Sequence, residues 1–294
     1  MPQADVVLAM TDSIAPETRM GPVRLLVEDL DTMLAFYRDV LVLEHIATDG
    51  DSHVLGRAGV ETVTLTPARG LPRFDRRGAG LFHTAVLFDS EPGLAAAVAR
   101  VAQATPRAYT GSADHLVSKA FYFDDPEGNG VELYWDRPRE AWARDAAGRP
   151  LMGSEYIDAN GYLQQHLTEA EFASPLSAAS VGHVHLQVGD IPTAKRFYVD
   201  AVGFEEVFDM GTALFVSAGG YHHHVGLNTW NSRGAGPRSA SLGLGRMDIV
   251  LPTPDAVAGL RSRLEFASVA VEDDGRELTF GDPWGSKIRA RVAD

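Results

Sequence analysis

Ten histidines and no cysteine set the terms for any chemistry this 294-residue chain performs. Without thiolates there is no disulfide, no cysteine nucleophile and no sulfur-bound metal, so a metal would have to rest on imidazole and carboxylate. His83 stands in the run LFHTAVLF, His183 and His185 stand in GHVHLQV, and His222, His223 and His224 follow Tyr221 without a break. A neutral imidazole can bind a divalent ion, and an imidazole titrating near neutrality can take or give a proton. A single strand histidine is more often packed or solvated than ligating. Glu132 carries more weight. It lies between Val131 and Leu133 in an apolar strand, where a carboxylate facing the core is costly unless it meets a proton, a cation or a metal.

A repeat positions these residues. The segment GPVRLLVEDLDTMLAFYRDVLVL from Gly21 aligns without a gap on GHVHLQVGDIPTAKRFYVDAVGF from Gly182, with Asp29 opposite Asp190 and Phe36-Tyr37 opposite Phe197-Tyr198. Each copy alternates polar and apolar residues, then changes to a helical period after an aspartate suited to N-capping, which predicts a strand followed by a helix. Short runs rich in Val, Thr and Phe follow, EEVFDM, TALFVSA and HHHVGLNTW in the later copy, and predict three more strands. If HHHVGLNTW is extended, alternation sets His223 on the opposite face from His222 and His224.

A second, weaker pair of segments shares this plan: LFHTAVLFDSEPGLAAAVARV and GRMDIVLPTPDAVAGLRSRL. Both copies end on Asp-Pro-x-Gly, in FYFDDPEGNGVELYW and LTFGDPWGSKIRARV, where Pro presets one dihedral of a tight turn and Gly tolerates a positive one. The chain therefore divides into four βαβββ modules at 21–67, 80–136, 180–231 and 242–292, an α+β plan. In domain terms this is an extension at 1–20, a domain at 21–136 (modules one and two), a linker with some helix at 137–180, and a domain at 181–294 (modules three and four).

With 26 basic against 40 acidic residues, the net charge of -14 argues against nucleic-acid or anionic-membrane partners, which need local positive potential. No run of eighteen apolar residues occurs, and the first twenty residues have neither a basic start nor a continuous apolar stretch. A cytoplasmic location is expected on these grounds.

The strand-helix opening that ends in FYRDVLVL or FYVDAVGF, together with the DPEGNGVEL ending, resembles the vicinal oxygen chelate superfamily. That superfamily includes glyoxalase I, the fosfomycin and bleomycin resistance proteins and the type I extradiol dioxygenases. The two-domain, catechol-2,3-dioxygenase-like members are most similar. The resemblance covers nearly the whole chain outside the first twenty residues and residues 137–180. It implies that paired modules curl their sheets around a cup, with metal ligands at the start of the first strand and on the last strand of a module.

Carried onto this chain, the first-strand ligand position falls on Pro22, His83, His183 and Arg246, and the last-strand carboxylate falls on Glu132 in module two and Arg289 in module four. The resemblance thus implies His83, His183 and Glu132 as a two-His-one-carboxylate set, which leaves three adjacent positions free on Fe(2+), with Mn(2+) or Zn(2+) as alternatives. It also implies Tyr122, ten residues before Glu132, as a hydrogen-bonding partner of the bound substrate, and His115 as a second such partner at the rim. His223 aligns best with the acid-base histidine, with His222 and His224 open as alternatives. His185 is expected beside the ligands, and Asn228 and Trp230 are expected to line or support the cup. His45, His53 and His166 match no role.

Pairing modules in chain order would leave His183 in one cup and His83 with Glu132 in the other. A metal site therefore predicts that module two meets module three, and one meets four, within a chain or by exchange between chains. The expected activity is extradiol cleavage of a catechol-type diol with O2 by a homo-oligomer. A glyoxalase-like isomerase or lyase, or a metal-free drug-binding resistance protein, remains open.

Overall fold

The computed structural model describes residues 13–174 and 177–293. Of the expected extension at 1–20, residues 1–12 lie outside the described residues, and Arg19 already opens the first strand. Module one contributes β1 (Arg19–Val27), β2 (Glu44–Asp49), β3 (Ser52–Arg57) and β4 (Val60–Pro67). Module two contributes β5 (Gly80–Phe88), β6 (Tyr109–Asp114), β7 (Ser118–Asp124) and β8 (Gly130–Asp136). Module three contributes β9 (Ala179–Gln187), β10 (Glu205–Asp209), β11 (Ala213–Ser217) and β12 (Val225–Asn228). Module four contributes β13 (Gly243–Leu251), β14 (Val271–Asp273), β15 (Glu277–Gly281) and β16 (Lys287–Val292).

Each module has one helix between its first and second strands, starting where a side-chain oxygen caps it. Asp29 Oδ1 accepts from Thr32 N at 3.1 Å, and Asp190 Oδ1 accepts from Thr193 N at 2.9 Å. Ser90 and Thr253 cap the helices Glu91–Ala104 and Pro254–Phe266 in the same way. A uniform helix over the Phe-Tyr pairs does not form. The α-helical turns Leu30–Leu34 and Ile191–Lys195 widen into π-helical turns at Ala35–Val40 and Arg196–Ala201, closed by bonds such as Leu41 N to Phe36 O at 3.0 Å. Between modules two and three, short helices at Ala159–His166 and Glu169–Ala173 pack on the module-two helix.

The strands form two eight-stranded mixed sheets, ordered β14-β15-β16-β13-β1-β4-β3-β2 and β10-β11-β12-β9-β5-β8-β7-β6. Modules one and four thus share one sheet, joined by the antiparallel pair β1 and β13, and modules two and three share the other, joined by β5 and β9. The chain-order segments 21–136 and 181–294 consequently supply half of each sheet, and neither closes a sheet by itself. One continuous apolar core runs between the sheets and includes Leu25, Val63, Val86, Leu133, Val184 and Ile249. Among the described residues no helix is long and apolar enough to cross a membrane.

In the sheet of modules one and four, Asp248 is 1 % exposed and sits between two guanidiniums. Arg246 Nε lies 2.8 Å from its Oδ1, and Arg289 Nε lies 2.9 Å from its Oδ2. Arg246 and Arg289 stand at the positions that hold His183 or His83 and Glu132 in the other sheet. An internal salt bridge therefore occupies the centre of this sheet's inner face, where ion-pair geometry and burial satisfy the charges.

Candidate metal centre and cavity

Strands β5, β8 and β9 lie side by side at the middle of the second sheet, and each brings one donor. In register, Ala85 pairs with both Glu132 on β8 and His183 on β9. That alignment, with a bulge between Leu81 and His83, turns His83, Glu132 and His183 toward one point. One donor atom from each lies within 4.8 Å of the others, and all three side chains are buried. Gly182 makes room beside His183: a Cβ there would lie 1.6 Å from the Tyr134 hydroxyl oxygen.

Both imidazoles crowd the same carboxylate oxygen. His183 Nε2 is 3.1 Å and His83 Nε2 is 2.9 Å from Glu132 Oε2, and the His83 nitrogen lacks hydrogen-bond alignment. Among the described residues no Lys or Arg pairs with Glu132. Burial pushes the Glu132 carboxyl up, yet the hydrogen bond with His183 and the electrostatic pull of His183 and His83 hold it well below the ordinary carboxylate range. Burial draws His183 down from its usual value, against the pull of Glu132. A carboxylate and a neutral imidazole are the forms that ligate, and three such donors meeting without another cation fit a divalent ion.

The cluster floors a cavity of about 790 Å³ that is also lined by Tyr122, His115 and His223. All six residues expected at the site are thus in one place. Tyr122 faces Glu132 across the β7–β8 pair. Its hydroxyl is 2.7 Å from His115 Nε2, while His115 Nδ1 is 2.7 Å from the Gly153 carbonyl. Burial, then the Glu132 charge, raises the Tyr122 phenol well above its usual value and keeps it protonated. His185 packs on the His83 ring at 4.9 Å and accepts from Asn228 Nδ2 at 3.0 Å. The apolar wall is formed by Phe82, Met152, Phe208, Phe215 and Trp230.

The histidine run departs from its expected form. Strand β12 starts only at Val225, because Gly219 and Gly220 take positive φ (59° and 67°) and turn the chain before it. Strand alternation therefore does not sort the three rings. His223 lines the cavity with its ring 4.0 Å from that of His183, whereas His224 Nδ1 bonds Ser217 Oγ at 3.0 Å. His222 Nε2 lies 2.8 Å from Asp136 Oδ1. Burial, then the neighbouring His183 and His222, holds His223 well below its ordinary value.

Asp136 and Tyr221 escaped the sequence analysis. The available signal was alternation along β8, which puts Glu132, Tyr134 and Asp136 on one face. Tyr134 and Tyr221 share a hydrogen bond of 2.8 Å, and Tyr221 donates to Asp136 Oδ2 at 2.7 Å. His45 and His53 pair at 5.3 Å on β2 and β3, and His166 lies 3.6 Å from Glu91, all away from this cavity.

Comparison with known proteins gives a consistent family. Residues 19–133 and 180–288 match the model of the Glyoxalase/Bleomycin resistance protein/Dioxygenase superfamily. A Bacillus subtilis protein named catechol-2,3-dioxygenase is 35% identical over 278 residues, 92% of this chain and 96% of that protein. Among solved structures, glyoxalase I from Zea mays aligns with a TM-score of 0.57 and 16% identity, covering 94% of this chain and 92% of that one. The cppA protein from Streptococcus pneumoniae aligns with a TM-score of 0.58 and 11% identity, covering 96% and 99%.

Proposed function

Because the chain belongs to the glyoxalase/bleomycin resistance/dioxygenase superfamily, we propose that it is an extradiol ring-cleaving dioxygenase acting on a catechol-type diol with O2. In this assignment His83, His183 and Glu132 hold one Fe(2+). The observation that carries it is the convergence of two imidazoles and one carboxylate in a cavity also lined by Tyr122, His115 and His223, which can exchange protons. The identity of 35% to a protein named catechol-2,3-dioxygenase supports the same reaction.

A ferrous ion held by these three residues would supply a single site at which a chelating diol and O2 could meet without crossing free solution. The protein's own groups do the rest. Gly153 accepts a hydrogen bond from His115 Nδ1, so in the neutral ring His115 Nε2 accepts the Tyr122 proton at 2.7 Å. The Tyr122 oxygen is left with lone pairs to accept from a diol hydroxyl. His223 takes a substrate proton and returns it to the product. Phe82, Phe215 and Trp230 offer the ring an apolar wall.

The test is to purify the protein anaerobically, assay bound metal, add catechol, and follow visible absorbance together with O2 uptake. Iron with colour and oxygen consumption is expected, and His83→Ala or Glu132→Ala should lose the iron. Zinc or manganese without O2 uptake would point to isomerase or lyase chemistry, and a protein that takes up no metal would end the assignment.

A further inference from the structure

A chain of hydrogen bonds leads from the cavity through two buried rings to the half-buried Asp136 at the end of β8. His223 Nδ1 and His222 Nδ1 face each other at 2.8 Å, His222 Nε2 meets Asp136 Oδ1 at 2.8 Å, and Asp136 Oδ2 accepts from Tyr221 at 2.7 Å. His222 and His223 are 1 % and 6 % exposed. Two ring nitrogens at that separation share one proton, so one ring donates and the other accepts. Which ring does so is decided at the far end. An ionised Asp136 only accepts, and it therefore takes its hydrogen bond from His222 Nε2–H. A His222 ring whose single proton goes to Asp136 has a lone pair at Nδ1, and His223 is then the donor, through its own Nδ1–H. That leaves His223 Nε2 without a proton.

We propose that Asp136 and His222 are positioning residues that lock His223 in the tautomer with a bare Nε2, aimed as a proton acceptor into the cavity that His223 lines. The proposal rests on the ring-cleavage assignment only for the identity of the proton accepted: a diol O–H bond breaks and an Nε2–H bond forms, while Nδ1–H stays bonded to His222. The logic is that of a buried carboxylate holding an imidazole in its working tautomer, where loss of the carboxylate leaves the ring in place and the wrong nitrogen protonated. Tyr221, bonded to both Tyr134 and Asp136, fixes the carboxylate in turn.

The test reads the tautomer directly. The full chain, carrying 15N-labelled histidine and loaded with diamagnetic zinc, is studied by NMR near neutral pH, with His223 assigned from a His223→Gln variant. The expected spectrum has His223 protonated at Nδ1 and bare at Nε2. In Asp136→Ala the Nε2–H form should gain population, and Asp136→Glu should restore the wild-type pattern. In the iron-loaded protein, kcat should fall about 10- to 100-fold in Asp136→Ala with iron content unchanged, as for other groups that orient a site residue. A wild-type spectrum with the proton on His223 Nε2 overturns the proposal, and so does an Asp136→Ala variant whose tautomer does not move. Since no turnover is needed, a chain with the expected tautomer that consumes no O2 would refute ring cleavage and uphold the lock.

Discussion

Tyr37 donates its hydroxyl proton to Asp125 Oδ2 at 3.0 Å, from the helix of module one to the Asp-Pro turn of module two. Tyr198 makes the same bond to Asp282 at 3.1 Å, from module three to module four. Modules one and two lie in different sheets, as do modules three and four, so each bond ties one sheet to the other. The two motifs that mark the repeat are the two ends of this tie. Asp125 also accepts from the backbone of Glu127 and Asn129 through Oδ1, so the carboxylate that closes its own turn carries the tie on its other oxygen.

Tyr37→Phe removes one donor from a buried carboxylate and adds no cavity. The expected loss is about 1–3 kcal/mol of folding stability, the range for an unsatisfied buried polar group. Urea unfolding of the variant against wild type measures it, and an unchanged midpoint would show that the tie contributes nothing.

The same aspartate sets a pH dependence. Burial pushes Asp125 up to about 6 from 3.8, so the folded state binds its proton more tightly than the unfolded chain. Stability from this group is complete below its unfolded pKa and is lost as pH rises through the folded value, a change of about 3 kcal/mol. Asp125→Asn should lack this component. The stability of the variant relative to wild type should improve between pH 4 and pH 7, and a flat difference across that window would contradict the shift.

Occupancy of the metal cluster should stabilise the fold. At a free Fe(2+) concentration of 100 times Kd, the expected gain is about 2.7 kcal/mol, visible as a rise in Tm that a chelator reverses. Glu132→Ala leaves two imidazoles and should show no rise. Equal thermal shifts in the two proteins would place the ion elsewhere.

Tyr122 touches the proposed substrate position and is not one of the three converging donors. Tyr122→Phe should retain iron and lose about 100-fold in kcat, the lower range for a group that handles a proton in the transition state. Iron analysis beside steady-state O2 uptake separates the two effects. A variant with full activity would remove Tyr122 from the chemistry.

Much of this organisation was legible in the chain. The gap-free match between Gly21 and Gly182 marked where strands and capped helices begin, because both depend on neighbours in sequence. The π-helical turns were not visible, since their i→i+5 bonding follows from where Tyr37 and Tyr198 must reach. The histidine run was misjudged as part of a strand, because two glycines turn the backbone where apolar content alone suggested continuation.

By itself the sequence determined the module plan, the absence of thiolate chemistry and the residue types available to any site, all of which are properties of composition and local periodicity. Which modules share a sheet could be argued from the sequence only through the ligand positions, and it is tertiary structure that sets it. That choice is made by backbone pairing of β5 with β9, and it brings His83 and His183, a hundred positions apart, onto the one carboxylate between them. It also decided which ring of three consecutive histidines faces the cavity, because Asp136, far away in the chain, claims His222 through a hydrogen bond that no local pattern specifies.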